Sequence, residues 1–166
     1  MIKSQYYLGL IYFEGKYITN DINKAIKYFT LAANQGDAKS QCYLGEIYKN
    51  GKFVNRDLEK AIYYLTLAAE QNEAKAICLL GLIYSENESV YNAKKAIHYF
   101  NLAIDQEIYE AYYFLGCLYY ENKCIKRNIN KAIYYFTQIA NLNNEIAQYK
   151  LGKIYYKGKY IKQDIN

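Results

Sequence analysis

Apolar side chains recur along the chain at steps of mostly three and four residues, in two stretches separated by a turn, and the whole arrangement then repeats. Within residues 37–72 the first stretch holds Cys42, Leu44, Ile47 and Tyr48, and the second holds Ala61, Ile62, Leu65, Ala68 and Ala69. That is the period of a helix buried along one stripe, so each stretch is predicted to be helical. The intervening Asn50-Gly51-Lys52-Phe53-Val54-Asn55-Arg56 has the composition of a turn. Two markers fix the repeat. Leu-Gly occurs at Leu8-Gly9, Leu44-Gly45, Leu80-Gly81, Leu115-Gly116 and Leu151-Gly152, with the glycines 36, 36, 35 and 36 residues apart by subtraction. Lys-Ala-Ile keeps the same period at Lys24, Lys60, Lys95 and Lys131. A recurring unit of this length cannot bury its apolar face alone and stacks on its neighbours. The pattern therefore predicts a single all-α repeat domain over 1–166. Its helix-turn-helix units are 1–36, 37–72, 73–107 and 108–143, and the first helix of a fifth lies in 144–166.

Local chemistry agrees with that division. Each second helix is expected to start at a capping residue, Asp21, Asp57, Asn92, Asn128 or Asp164, whose side-chain oxygen accepts from a first-turn amide and contributes about 1 kcal/mol. Each ends near Gly36, Asn72, Glu107 or Asn143; Gly and Asn suit a left-handed closing residue, and Glu107 is the exception. The glycine of each Leu-Gly pair sits inside a helix, where it costs about 1 kcal/mol relative to Ala. Its recurrence implies a compensation: the absent side chain lets the paired helix, with its Ala25 or Ala61, come close enough to gain dispersion contacts.

The resulting pattern is A-x-x-x-L-G-x-x-Y, a Gly-containing turn, then D-x-x-K-A-I-x-Y-[FL]-x-x-A-A. It is carried by the run Ala76 to Tyr84 and by the run Asp57 to Ala69, and it resembles the Sel-one-like repeat (SLR) family, relatives of the tetratricopeptide repeats. The resemblance covers essentially the whole chain. It implies a right-handed α/α superhelical solenoid of antiparallel helix pairs, with the first helix of each unit lining a concave surface. It also implies a non-catalytic scaffold or adaptor that binds a partner protein or peptide in that groove. Carrying over the tetratricopeptide-type groove positions gives Lys3, Tyr6, Leu10 and Phe13, then Lys39, Cys42, Glu46 and Lys49, then Lys75, Cys78, Leu82 and Ser85. Glu110, Tyr113, Cys117, Tyr120, Tyr149, Lys153 and Tyr156 continue the row. Tyr suits such a surface because it offers large contact area and a hydrogen bond at low entropic cost; the competing expectation is that many of these rings pack between neighbouring repeats.

Regularity fails in two places. The turn Ser85 to Asn92 is one residue short and has Asn87 where Gly15, Gly51 and Gly158 stand, which reads as drift in a solvent loop. After the helix near Ile146 to Lys157 the sequence reaches Asp164, a helix-capping position, and then Asn166. Leu151, Ile154 and Tyr155 are expected to be partly uncovered there, which points either to a longer array or to end-to-end self-association.

Composition narrows the chemistry. The apolar fraction is 52%, but 23 residues are Tyr. The net charge of +5 comes from dispersed lysines and only Arg56 and Arg127, interleaved with 16 acids. Nucleic-acid readers gather such charge on one face, so no nucleic acid is expected. Lysines and arginines do recur at the turns (Lys16, Lys52, Arg56, Lys123, Lys126, Arg127, Lys157, Lys159, Lys162), most simply as solvated loop charge. Cys42, Cys78, Cys117, Cys124 and the lone His98 make no metal-ligand spacing, and His98 is read as a surface residue. No nucleophile-base constellation or phosphate-cradling glycine loop is present, so neither catalysis nor a cofactor is expected. One secreted branch of the resembled family joins the two helices of each unit by a disulfide, and penicillin recognition has been attributed to it. Here the partner position near the end of the second helix is Ala69 or Ile104, so free thiols are expected and a lactam-directed hydrolase is a disfavoured alternative, the other alternative being an interaction segment of a larger complex. The amino terminus lacks a signal-peptide pattern and no run reaches the roughly 18 apolar residues of a membrane span. A cytoplasmic protein without membrane insertion is expected.

Overall fold

The computed structural model describes residues 2–15, 19–86, 89–121, 124–156 and 158. Among these there are nine helices and no strand: α1 (Ile2–Glu14), α2 (Ile22–Ala33), α3 (Ala38–Asn50), α4 (Leu58–Glu70), α5 (Ala74–Glu86), α6 (Val90–Asp105), α7 (Glu110–Glu121), α8 (Ile129–Ala140) and α9 (Glu145–Tyr156). They fall into two compact units, Met1–Ile83 and Tyr84–Asn166, with the division passing through α5.

In the first unit α1 and α2 pair antiparallel. The Asp21 amide donates to the Tyr12 carbonyl at 3.0 Å at one end of the pair, while Gln35 donates its side-chain amide to Gln5 at the other. The α3–α4 pair repeats both contacts, Asp57 to Tyr48 at 3.0 Å and Gln71 to Gln41 at 2.8 Å. In the second unit α7 and α8 are tied by the Asn128 amide, which donates to Tyr119 at 3.0 Å.

The caps follow from side-chain reach. Asp21, Asp57 and Asn128 accept from the amides of Lys24, Lys60 and Lys131 at 3.0, 3.0 and 2.9 Å. Asn92 does not cap α6. That helix starts three residues earlier, and Ser89 Oγ accepts from the Asn92 amide at 3.1 Å. A serine oxygen available before Asn92 nucleates an extra turn, and α6 reaches 16 residues. Asp164 lies outside the described residues. At the far ends, Gly36, Asn72 and Asn143 take positive φ, and Glu107 does the same at φ 64°. Glu107 is thus no exception in conformation: the Glu107 and Ile108 amides donate to Ile104 and Ala103 at 2.9 Å each, closing α6 as Gly36 and Asp37 close α2.

Packing explains both markers. Leu44 and Ile47 of α3 join Ala25, Phe29 and Ala33 of α2 in one buried cluster, so the Leu face looks toward the preceding pair. The glycine looks the other way. A Cβ on Gly9 would stand 2.5 Å from the Phe29 ring, on Gly45 2.4 Å from Leu65 Cγ, and on Gly116 2.6 Å from the Phe136 ring. The compensation expected for these glycines is therefore a large side chain seated on the bare backbone; close approach to the Ala position itself occurs at Gly45, where an added Cβ would stand 3.2 Å from the Ala61 carbonyl oxygen. In the second unit Ala132, Phe136, Ile139, Ala140, Ala147 and Ile154 form the corresponding cluster. Ile154 is only 1% exposed, contrary to the expectation that it lies uncovered, because it faces α8. Leu151 packs partly against the same cluster, whereas Tyr155 is 52% exposed.

Candidate partner-binding surface

The groove positions divide by how firmly they are held. In the first unit Tyr6 and Phe13 of α1 flank Tyr43 of α3, at ring distances of 6.2 and 5.6 Å, and Tyr43 stacks on Phe29 at 5.0 Å with planes 5° apart. Leu10 packs against the same cluster. Tyr6, Leu10 and Phe13 are half-buried, so they serve inter-repeat packing while keeping an exposed edge. Burial first, then the neighbouring Tyr43 oxygen, pushes the Tyr6 hydroxyl up to about 12.

Charge lies beside this aromatic floor. Lys39 is exposed, and Lys49 is half-exposed. Lys75 reaches back from α5 to Glu46 of α3 at 2.6 Å and lies over the Tyr43 ring at 5.3 Å. Burial opposes its charge, but the bond to Glu46 outweighs this and holds Lys75 above the ordinary lysine value. Leu82 is half-buried. Cys42, from the same row, is buried, and desolvation pushes its thiol up to about 12, which removes it as a nucleophile.

In the second unit Tyr113 packs on Phe136 at 5.9 Å, and Tyr120 carries the Arg127 guanidinium over its ring at 4.5 Å. Ser85, Phe114, Cys117, Leu118 and Glu121 line a cleft of about 220 Å³. On α9, Lys153 is exposed, Tyr149 is 67% exposed and Tyr156 is 93% exposed. The structure therefore brings Tyr6, Leu10 and Phe13 together around one cluster and leaves Lys39, Tyr149, Lys153 and Tyr156 directed to solvent.

Sequence reasoning missed Tyr43. The signal was an aromatic directly before Leu-Gly, and the second unit repeats the contact with Phe114 stacked on Phe100 at 5.3 Å. In α9 that position is Lys150, which pairs instead with Glu121. A second missed pattern lies along the turn edge. The Tyr of each L-G-x-x-Y stacks on a Tyr of the second helix, as in Tyr12–Tyr28, Tyr48–Tyr64, Tyr84–Tyr99 and Tyr119–Tyr135 at 5.7, 6.2, 5.6 and 5.7 Å. The Lys of Lys-Ala-Ile covers the first ring at 5.1, 5.2, 4.7 and 4.8 Å. These marker lysines are therefore engaged as cations over aromatic faces. Of the turn cations, Lys52 lies over Phe53 at 5.1 Å, and Lys16, Lys123, Lys157, Lys159 and Lys162 fall outside the described residues.

The four cysteines carry free thiols, and His98 is exposed against the edge of Tyr99. Among the described residues no group of three or more His, Cys, Asp or Glu could hold a metal ion, and no helix is long and apolar enough to cross a membrane.

Comparison with known proteins agrees with this architecture. The Sel1 repeat pattern matches at residues 2–37, 38–73, 74–107, 110–144 and 146–166. The crystal structure of a protective antigen present in uropathogenic Escherichia coli strains, displaying an SLR fold, superposes with a TM-score of 0.86 at 31% identity over 99% of this chain. A Sel1 repeat protein from Oxalobacter formigenes superposes with a TM-score of 0.77 at 31% identity, again over 99%. The chain spans 35% of the antigen's length and 68% of the Oxalobacter protein's. No curated protein matches it. Sel1 repeat proteins generally mediate protein–protein interactions and are generally non-catalytic scaffolds. With five successive matches and the Leu-Gly and Lys-Ala-Ile contacts in place, the chain belongs to the Sel1 repeat family.

Proposed function

We propose that the chain is a non-catalytic scaffold that holds a partner protein or peptide against its first-helix face, the groove of the repeat family. The observation that carries this reading is the aromatic cluster of Tyr6, Phe13 and Tyr43 around Phe29, whose outer rings stay half-exposed beside Lys39 and the Lys75–Glu46 pair. Rings already fixed by packing lose little entropy when a partner covers them, and flanking charge sets the partner's orientation. In the second unit, taken by itself, Tyr149, Lys153 and Tyr156 present exposed aromatic and lysine side chains on α9. The dispersed lysines speak for a protein partner over a nucleic acid, and the free thiols suit a cytoplasmic setting.

Capture from a lysate of the source cells tests this, run in parallel with the wild type, with Lys39→Glu plus Lys153→Glu, and with Glu59→Lys on the exposed side of α4. A specific partner retained by the wild type and Glu59→Lys, and lost with the groove pair at unchanged thermal midpoint, supports the reading. Equal retention by all three overturns it.

A further inference from the structure

Cations recur at the start of each second helix, but the repeats differ in what accompanies them. In the second repeat Arg56 and Lys60 are matched by Asp57 and Glu59, and Lys60 pairs with Asp57 at 3.2 Å. In the first, Lys24 pairs with Asp21 at 3.3 Å. The fourth repeat keeps the cations and drops the acids. Lys126, Arg127 and Lys131 stand there with Asn128 and Asn130 in place of Asp57 and Glu59, and no Asp or Glu occurs between Glu121 and Glu145.

These charges gather at one end of α8. Asn128 caps the helix with a neutral amide, its oxygen accepting the Lys131 amide at 2.9 Å, so the cap does not offset the positive end of the helix dipole as an Asp would. Lys126, Arg127 and Lys131 are all exposed around that end. Arg127 is held over the Tyr120 ring at 4.5 Å and Lys131 over the Tyr119 ring at 4.8 Å, contacts that position both cations without neutralising them. Tyr134, one turn on from Lys131 along the same face, is 56% exposed and braced edge-on against Tyr135 at 5.2 Å. Like charges gathered at the positive end of a helix repel one another, and an anion from outside relieves that repulsion.

We infer that this edge of the fourth repeat, around Lys126, Arg127, Lys131 and Tyr134, is a docking surface for an acidic segment of a partner protein. Charge complementarity selects the carboxylates, and Arg and Tyr are residues that the centres of protein interfaces favour. Membrane surfaces and nucleic acids draw on wider arrays of cations than these three side chains supply. The surface is separate from the first-helix groove: it belongs to α8 and the turn before it, and it uses residues of the second unit alone.

A fluorescein-labelled peptide of repeated Glu-Glu-Tyr triplets, titrated with the full chain at low salt and read by anisotropy, tests this. Saturable binding that weakens with added salt is expected, and it should fall by about tenfold or more with Asn128→Asp plus Asn130→Glu. That pair writes the acids of the second repeat into the fourth and keeps a capping oxygen, as Asp57 does, so an undiminished thermal midpoint separates lost binding from lost fold. Lys126→Glu, a single exposed change, should weaken binding in the same direction, whereas Lys52→Glu plus Arg56→Glu at the second repeat should leave it unchanged. Absence of binding at about 1 mM overturns the proposal, as does binding indifferent to the fourth-repeat pair. Equal loss with both pairs overturns it by making the attraction a property of net charge. Tighter binding of phosphatidylserine-containing vesicles or of a single-stranded oligonucleotide than of the peptide also overturns it, by giving the edge to a membrane or a nucleic acid.

Discussion

Gly45 and Leu65 interlock so closely that a single methyl group on the glycine would stand 2.4 Å from the leucine Cγ. The same helical glycine recurs at Gly152, where a Cβ would have no neighbour within 4 Å among the described residues. One substitution therefore has opposite consequences at two equivalent positions. Gly45→Ala should destabilise by about 1–3 kcal/mol as Leu65 is forced from its rotamer. Gly152→Ala should stabilise by up to about 1 kcal/mol through helix propensity alone. Urea unfolding of both variants checks this, and equal shifts would refute the packing account.

Ser40 stands where Ala76, Ala111 and Ala147 stand in other repeats, and it is fully buried with no hydrogen-bond partner for its hydroxyl. An unsatisfied buried hydroxyl costs about 1–3 kcal/mol of desolvation, part of which the alanine recovers. Ser40→Ala should raise stability by about 1 kcal/mol, read as a higher urea midpoint with unchanged slope.

Glu107 holds φ 64° at the end of α6, a conformation in which a Cβ is penalised. Gly36 occupies the same place after α2 without that penalty. Glu107→Gly should therefore stabilise by about 1 kcal/mol, and Glu107→Asn by less. Thermal unfolding of the two variants gives the order.

Asp57 accepts the Lys60 amide, and that bond, with the lysine's side-chain bond and charge, holds its carboxyl below the ordinary 3.8; Asp21 is lowered in the same way by Lys24. A group depressed in the folded state adds stability that is fully present above 3.8 and is lost as pH falls through its folded value. The thermal midpoint should drop on acidification below about pH 4. Asp57→Asn keeps the capping oxygen, as Asn128 does, but removes the titration, so its acid-induced drop should be smaller. Melting curves between neutral and strongly acidic pH decide this; an identical drop in wild type and variant would refute it.

How much of this the sequence disclosed follows from the range of each interaction. The caps at Asp21, Asp57 and Asn128 were readable because a side chain there reaches an amide three residues on, a contact that belongs to the local sequence. Asn92 was misread because two oxygen-bearing residues compete three positions apart, and Ser89, the earlier, starts the helix. Glu107 was read as an exception on residue preference, yet the closing bonds of α6 impose the backbone whatever the side chain. Ile154 was misassigned since periodicity marks a buried stripe without saying which neighbour covers it; α8, already formed, covers it. The groove row was legible as a spacing, but whether Tyr6 packs or projects depends on Tyr43, a residue 37 positions away by subtraction. No local pattern contains that information.

The paired tyrosines have an optical consequence. The chain has no tryptophan and 23 tyrosines against six phenylalanines, so tyrosine dominates its near-ultraviolet absorption, dichroism and emission. Tyr12–Tyr28, Tyr48–Tyr64, Tyr84–Tyr99 and Tyr119–Tyr135 stack with planes no more than 9° apart. Each such repeat thus holds its own coupled chromophore pair, one of whose rings lies under an ammonium group. Replacing a single member by phenylalanine removes that pair's coupling and leaves the other pairs intact, so variant-minus-wild-type spectra along a melt would follow the repeat concerned, and a set of such variants the order in which the repeats come apart.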